Sequence, residues 1–204
     1  MSGGFLSRAY GARDGDGTRR LYDDWAATYE DEITASGYAT PQRCAAALAA
    51  FSRDKTQPIL DFGCGTGLSG AALKLAGFEV IDGIDLSEAM LDQARHKGIY
   101  RHLEVVAPDA PLRHAPGDYA AIAAIGAIGA GAAPLSAIDA IMRGLARGGL
   151  FVFSFNDHAL ADPCNEGRVN EWIDCGAARL LMREHGEHLP AIGVRSTVYV
   201  LEKN

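Results

Sequence analysis

From residue 58 onward, unbroken apolar stretches alternate with segments whose apolar side chains recur at helical spacing. Short apolar runs bounded by glycine or polar residues are typical of buried strands, and a 3.6-residue repeat is typical of a helix packed on one face. Five such runs predict strands, at 58–62, 78–85, 99–106, 119–126 and 150–155. Helical segments lie between most of them, which predicts βαβ units and a parallel sheet with helices on both faces.

The two ends of the chain have different patterns. Near the C-terminus, a helical segment precedes 178–185 and 194–203, two strand-like segments that predict a hairpin at the edge of the sheet. Near the N-terminus, apolar residues four apart predict a helix over 21–33. Thr40 followed by Pro41 predicts the N-cap and first position of the next helix.

Length and pattern together favour one α/β domain over 1–204, with no second boundary and no internal repeat. Residues 1–17 are rich in glycine and charge, so we expect them to be loosely ordered. The predicted helices within 18–52 precede the sheet.

Composition narrows the range of partners. A formal net charge of −7 opposes broad binding of nucleic-acid phosphates. No apolar run reaches the length of a membrane span without glycine interruption. The four cysteines form no C-x-x-C pair, and no group of His, Cys, Asp and Glu has metal-ligand spacing. We therefore expect a cytoplasmic protein, monomeric or homodimeric, that binds no metal, membrane or nucleic acid.

The sequence ILDFGCGTGLSG at 59–70 predicts a strand that turns through glycines into a helix. Such a turn presents free backbone N–H groups, and glycine lets a ligand approach the main chain. A dinucleotide-binding fingerprint needs a third glycine where this chain has Leu68. Asp61 lies two residues before the loop, where an acid suits a cationic ligand directly or through water. Asp85, about 20 residues further on, stands where an acid binds ribose hydroxyls.

DFGCGTG followed by GIDLSEAMLDQAR resembles the class I S-adenosylmethionine (SAM)-dependent methyltransferases. The segments LYDDWAATYEDEI, GYATP and HLPAIGVRSTVYVLEK are most similar to the methyltransferase-like proteins of the Williams–Beuren syndrome region and their bacterial relatives. The resemblance implies a Rossmann-like three-layer sandwich whose seven-stranded, mostly parallel sheet has the order 3-2-1-4-5-7-6. It also implies SAM as cofactor, S-adenosylhomocysteine (SAH) as product, and a small-molecule substrate.

The resemblance also assigns roles along the cofactor. The loop would pack against its methionine part, Asp85 would bind its ribose, and the opening helix would close over the site. The residues that these roles and the acidic positions select are Trp25, Tyr29, Asp61, Gly63, Cys64, Gly65, Asp85, Leu86, Met90 and Asp109. Asp109 stands for the adenine-binding acid of the family, displaced by one position. Two further departures are Ala120 in place of an aspartate and Arg147 in place of a proline.

The acceptor side has no comparable motif. The fourth strand runs into Ile-Gly-Ala-Ile-Gly at 125–129, which lacks the polar anchor typical of amide- and DNA-methylating enzymes. A small apolar wall favours a modest apolar substrate. His158, after the fifth strand, is a weak candidate for a general base, and a solvated loop histidine is the alternative.

Two other functions stay open: a SAM-binding module without catalysis, and an NAD-dependent oxidoreductase.

Overall fold

The computed structural model describes residues 15–108, 110–129 and 131–204. Its central feature is a seven-stranded sheet with the order β3-β2-β1-β4-β5-β7-β6. The first five strands pair in parallel, and β7 is antiparallel to both β5 and β6. The predicted fold class and strand order are therefore confirmed. The strands are β1 Ile59–Phe62, β2 Ile81–Asp85, β3 His102–Val105, β4 Ala121–Ala124, β5 Leu150–Asn156, β6 Ala178–Leu189 and β7 Val194–Lys203.

Helices lie on both faces of the sheet because successive side chains of each strand point to opposite faces. Ile122, Phe151 and Phe153 belong to one buried cluster, and Ala121 and Val152 belong to another. A short 3-10 helix, Pro190–Ile192, joins β6 to β7. The α-helices are α1 Gly15–Trp25, α2 Tyr29–Ala35, α3 Thr40–Phe51, α4 Leu68–Leu75, α5 Glu88–His96, α6 Ser136–Gly144, α7 Asp157–Leu160 and α8 Pro163–Asp174.

The N-terminal region differs in detail from the prediction. The helix expected over 21–33 is two helices, α1 and α2, separated by a turn at 26–28. Residues 15–17 form the first turn of α1, and the rest of the segment expected to be loosely ordered, 1–14, lies outside the described residues. Thr40 is not an N-cap: Ala39 holds that position. The Thr40 hydroxyl instead contacts His188 Nδ1 at 2.8 Å, a long-range partner that helix-capping rules do not consider.

A third buried cluster joins the N-terminal helices to the sheet edge. Leu21, Trp25 and Ile33 pack there against Met90 of α5 and Leu189 of β6. We call this cluster, together with Tyr22, Tyr29 and Tyr38 that pack against it, the roof. The roof places α1 and α2 over the carboxyl ends of β1 and β2. Within the part of the chain that the structure describes, no helix is both long and apolar enough to cross a membrane.

Candidate functional site

A cavity of about 1020 Å³ opens at the carboxyl ends of the central parallel strands. In open α/β sheets, this edge is where ligands bind, beside the point at which strand order reverses. Here β1 lies between β2 and β4, so the loop after β1 is at that reversal. The roof supplies three tyrosines to the lining, and the segment after β4 supplies small apolar residues. The lining includes Tyr22, Tyr29, Tyr38, Gly63, Cys64, Gly65, Thr66, Ser69, Asp85, Leu86, Met90, Ile125, Gly126, Ala127 and His158.

The glycine loop at 63–67 needs its glycines for two reasons. Gly63, Gly65 and Gly67 all have positive φ, at 69°, 53° and 92°, a conformation that other residues rarely adopt. A Cβ on Gly63 would lie 2.5 Å from the Cβ of Ala127, so the loop and the end of β4 are in direct contact. A Cβ on Gly65 would meet no atom within 4 Å. Gly65 therefore presents its backbone to open space in the cavity.

Asp85 is held against the glycine loop by hydrogen bonds from the main chain. Its Oδ2 accepts from the N–H of Gly65 at 2.9 Å, and its Oδ1 accepts from the N–H of Ser87 at 2.9 Å. Burial raises the pKa of Asp85, and the Ser87 and Gly65 bonds oppose that rise. Because each carboxylate oxygen has further lone pairs, Asp85 can still accept bonds from ligand hydroxyls.

Asp61 is fully buried and does not line the cavity. Its Oδ2 accepts from Ser69 Oγ at 2.6 Å and from Tyr100 Oη at 2.8 Å, whereas its Oδ1 is buried with no hydrogen-bond partner. Burial raises the pKa of Asp61 to about 6, and the Ser69 and Tyr100 bonds oppose that rise. Ser69 itself lines the cavity, so the influence of Asp61 on a ligand passes most directly through Ser69.

Tyr100 fills a slot that three glycines leave open. A Cβ at Gly67, Gly70 or Gly83 would come within 3.2 Å, 2.2 Å and 2.9 Å, respectively, of Tyr100 side-chain atoms. The ring therefore packs under the glycine loop while its hydroxyl reaches Asp61. The segments DFGCGTG and GID therefore contain glycines that the packing of Tyr100 requires, in addition to residues that line the cavity.

In the roof, Tyr29 reaches the cavity and Trp25 does not. Trp25 is buried, stacks on Tyr22 and packs edge-on against Tyr29, with ring centroids 4.8 Å apart. Burial, and then the neighbouring Tyr38 phenol, are the main causes of the raised pKa of Tyr29. Trp25 thus supports the tyrosine that faces the cavity and contacts no ligand space directly.

Two polar contacts join α1 and α2 to the two ends of α5. Ser87 Oγ donates to Asp23 Oδ1 at 2.6 Å and also caps α5 by accepting from Met90 N–H. Lys97 Nζ lies 2.5 Å from Glu30 Oε1. Leu86 and Met90 line the cavity beside this junction, and their place along the adenine stays a prediction. Asp109 lies outside the described residues.

The small residues after β4 and helix α7 form the part of the cavity where the sequence analysis expects the acceptor. His158 lines the cavity, at the start of α7. The other two histidines of the tail do not line it. His185 contacts Thr197, and His188 is buried with its ring against Tyr38. No group of metal-binding side chains is found among residues 15–108, 110–129 and 131–204.

Several polar residues of the cavity were not predicted from the sequence, among them Thr66, Ser69 and Tyr38. Thr66 Oγ1 is buried with no hydrogen-bond partner, which makes it available to a ligand group. Its place inside the glycine loop was a usable signal. Tyr38 stands in the segment GYATP, but its place at the cavity was not predicted, because it depends on residues about 150 positions away.

The comparisons with known proteins agree with this geometry. Residues 59–149 match the family model described as "Methyltransferase domain". Over 133 residues, the chain is 33% identical to methyltransferase-like protein 27 of Homo sapiens; the alignment covers 64% of this chain and 54% of the human protein. The chain thus spans about half the length of that curated relative.

Solved structures share the fold at low sequence identity. A TehB-like SAM-dependent methyltransferase from Corynebacterium glutamicum is 18% identical, with a TM-score of 0.61 over 91% of this chain and 100% of that one. The 4+2 cyclase SpnF is 16% identical, with a TM-score of 0.67 over 94% and 97%. Residues 59–149 therefore match a methyltransferase-domain family model, and the chain shares the fold of these solved structures, which agrees with the resemblance stated from its sequence.

Proposed function

We propose that this protein uses SAM to methylate a small molecule and releases SAH. The observation that carries the proposal is the contact of Gly65 with Asp85 at the cavity edge. This contact puts a glycine bordering open space beside a carboxylate that suits ribose hydroxyls. The match of 59–149 to a methyltransferase domain supports the same donor.

The residues present fit this cofactor. Thr66 Oγ1 is a buried polar atom without a partner in the loop, and the space over Gly65 admits a ligand against the main chain. Gly63, Cys64 and Gly65 would hold the methionine part, with Ser69 and Asp61 behind it. Asp85 would bind the ribose, and Leu86 and Met90 would pack on the adenine. Tyr29, backed by Trp25, would cover the methionine end.

When bound, SAM supplies a methyl group on a positively charged sulfur that leaves as a neutral thioether. The chain's own task is then to align the acceptor with that methyl and to exclude water, which accounts for several kcal/mol in oriented reactions. The roof and the apolar residues after β4 provide that enclosure. His158 at the cavity wall would take a proton from the acceptor if the accepting atom carries one.

The substrate we propose is small and largely apolar. The wall after β4 consists of Ile125, Gly126 and Ala127, and it offers apolar contact without a charged anchor. We further propose a single domain over 1–204, as monomer or homodimer in the cytoplasm, that does not act on nucleic acid. The net charge of −7 supports that last point.

A SAM- or SAH-binding protein without methyl transfer is the second candidate. Its support is the same apolar wall after β4, together with the close fold match to a cyclase, because such a fold does not impose methyl transfer. Leu68 in place of a third glycine continues to oppose an NAD-dependent oxidoreductase.

Incubation with methyl-labelled SAM and a metabolite extract separates the two candidates. A methyltransferase is expected to move label into an extractable small molecule, and Asp85→Ala should abolish the transfer at low SAM concentration. Binding of SAM with no labelled product in extracts from several sources would favour the non-catalytic candidate.

A further inference from the structure

Tyr38 brings a polar group to the otherwise apolar end of the cavity. Its side chain lines the cavity, and its hydroxyl packs on the backbone of Gly126, directly after β4. A Cβ on Gly126 would lie only 2.6 Å from Tyr38 Oη. Gly126 has a φ of 66°, and its N–H donates to Ser154 Oγ, so this contact point is fixed from the sheet side.

Gly126 adjoins the contact that joins the acceptor wall to the glycine loop. The next residue, Ala127, is the one that a side chain on Gly63 would strike. Tyr29 and Tyr38 both pack against the buried cluster of the roof, so the two phenols lie on the same side of the cavity. Tyr38 therefore stands beside the place where the loop would hold the methionine part of the cofactor, which includes the methyl-bearing sulfur.

The segment that carries Tyr38 is fastened to the end of the terminal hairpin. The His188 ring meets the Tyr38 ring edge-on, with centroids 5.3 Å apart and an interplanar angle of 89°. The N–H of Ala39 donates to the His188 carbonyl at 3.0 Å. Thr40 Oγ1 contacts His188 Nδ1 at 2.8 Å and Ser196 Oγ at 2.9 Å. Buried neighbours of this kind restrict a side chain to one orientation, as a binding group requires.

We propose that Tyr38 is the acceptor-facing residue of the site: its hydroxyl hydrogen-bonds the accepting oxygen or nitrogen of the substrate and holds it toward the transferred methyl. His188, Thr40 and Ser196 act as positioning residues behind it. The substrate class is then a compact molecule that places an apolar body against 125–127 and one polar atom at Tyr38. This inference rests on the proposed function, because it takes SAM as the donor.

The test compares two ligands that differ at the methyl position. Sinefungin has an amine-bearing carbon where SAM has its methyl-bearing sulfur, whereas SAH has neither the methyl nor an amine there. Calorimetry would measure both ligands on the wild-type protein and on Tyr38→Phe. Loss of a hydrogen bond to a charged amine is expected to raise the Kd of sinefungin about tenfold, with the Kd of SAH changed less than about twofold.

Tyr199→Phe is the matched control, because the Tyr199 hydroxyl bonds Glu166 and the residue does not line the cavity. It should leave the ratio of the two Kd values unchanged. Thr40→Val, which removes the bonds to His188 and Ser196, should weaken sinefungin selectively but by less than Tyr38→Phe. This second variant tests the inference independently if Tyr38→Phe does not fold.

Three results would overturn the inference. Equal weakening of SAH and sinefungin by Tyr38→Phe would make Tyr38 a donor-binding residue. Unchanged binding of both ligands would remove Tyr38 from the site. Failure of the wild-type protein to bind SAH would instead reject the proposed function itself, and the inference with it.

Discussion

The two ends of the cavity are built in different ways. At the proposed donor end, loop 63–67, Asp85 and Ser87 are joined by hydrogen bonds within residues 63–87. At the proposed acceptor end, Tyr38, Gly126 and His188 come from three distant parts of the chain and meet through packing. Local hydrogen bonds leave a pattern in the sequence, and long-range packing does not. The proposed donor end could therefore be predicted from a sequence motif, whereas the contacts of the proposed acceptor end are seen only in the structure.

The two ends also contain buried titratable groups whose pKa values move in opposite senses. The pKa of Asp61, beneath the donor end, is raised to about 6. The pKa of His188, behind the acceptor end, is lowered to about 4. Burial favours the neutral form of each group, which is the protonated form of Asp61 and the deprotonated form of His188. Their contributions to the free energy of unfolding therefore change with pH in opposite directions.

The largest expected effect concerns His188. Its pKa falls from 6.5 to about 4, mainly through burial, with Arg43 and His158 adding to the fall and Asp157 opposing it. The unfolded chain therefore binds the proton first, and this contribution to stability is complete above pH 6.5. It is lost as pH falls toward 4, by up to about 3 kcal/mol. Chemical unfolding of the wild type and of His188→Asn at several pH values would measure it, and parallel curves would contradict it.

Asp61 should produce the reverse slope. Its pKa in the folded protein, about 6, lies above its ordinary value of 3.8, because burial outweighs the bonds from Ser69 and Tyr100. The folded state keeps the proton longer, so stability falls as pH rises from about 4 to 6, by up to about 3 kcal/mol. Asp61→Asn removes this slope and should gain stability relative to the wild type over that interval. A difference between the two proteins that is independent of pH would show that Asp61 does not titrate there.

Asp85→Ala should weaken SAH binding about a hundredfold. The substitution removes the proposed ribose contacts and frees the N–H groups of Gly65 and Ser87, and two charge-assisted hydrogen bonds account for an effect of this size. Glu88→Ala, at an exposed position on α5, is the control and should bind SAH as the wild type does. Unchanged affinity of Asp85→Ala for SAH would show that Asp85 does not bind the ribose.

The smallest expected effect is a difference of about 2 kcal/mol between alanine variants of two glycines in the same loop. Gly63→Ala places a Cβ against Ala127 at positive φ, so unfolding stability should fall by about 3 kcal/mol. Gly65→Ala meets no protein atom, so it should cost only about 1 kcal/mol through its positive φ. Its Cβ would instead occupy space over the loop and weaken SAH binding. Equal loss of stability in both variants would contradict the difference in packing.

The fold could be predicted from the sequence because it depends on local periodicity. The runs ending at Phe62 and Asp85 are bounded by glycine or polar residues, and β5 is apolar almost throughout, as strands buried on both faces are. Strand starts were less accurate: β2 begins at Ile81, three residues after the apolar run does. The break between α1 and α2 was missed because Leu21, Trp25 and Tyr29 keep one apolar face across the turn.

At the site, the sequence placed the loop and Asp85 on the elements where the structure has them. Asp61, expected to act on the ligand directly or through water, and Trp25, expected to cover it, each lie behind a residue that lines the cavity, Ser69 and Tyr29 respectively. Position in a motif gives the element and its end, whereas the side-chain direction is set by packing. Tyr38 belongs to the segment GYATP, but its cavity-lining position could not be predicted, since its contacts with His188 span 150 positions.

The most direct test of the account is a calorimetric titration of the unmodified protein with SAM and with SAH. The geometry of Gly65, Thr66 and Asp85 predicts one site per chain with a Kd in the micromolar range for each ligand. Absence of binding to either ligand, at protein concentrations where micromolar binding would give measurable heat, would contradict the account at its centre.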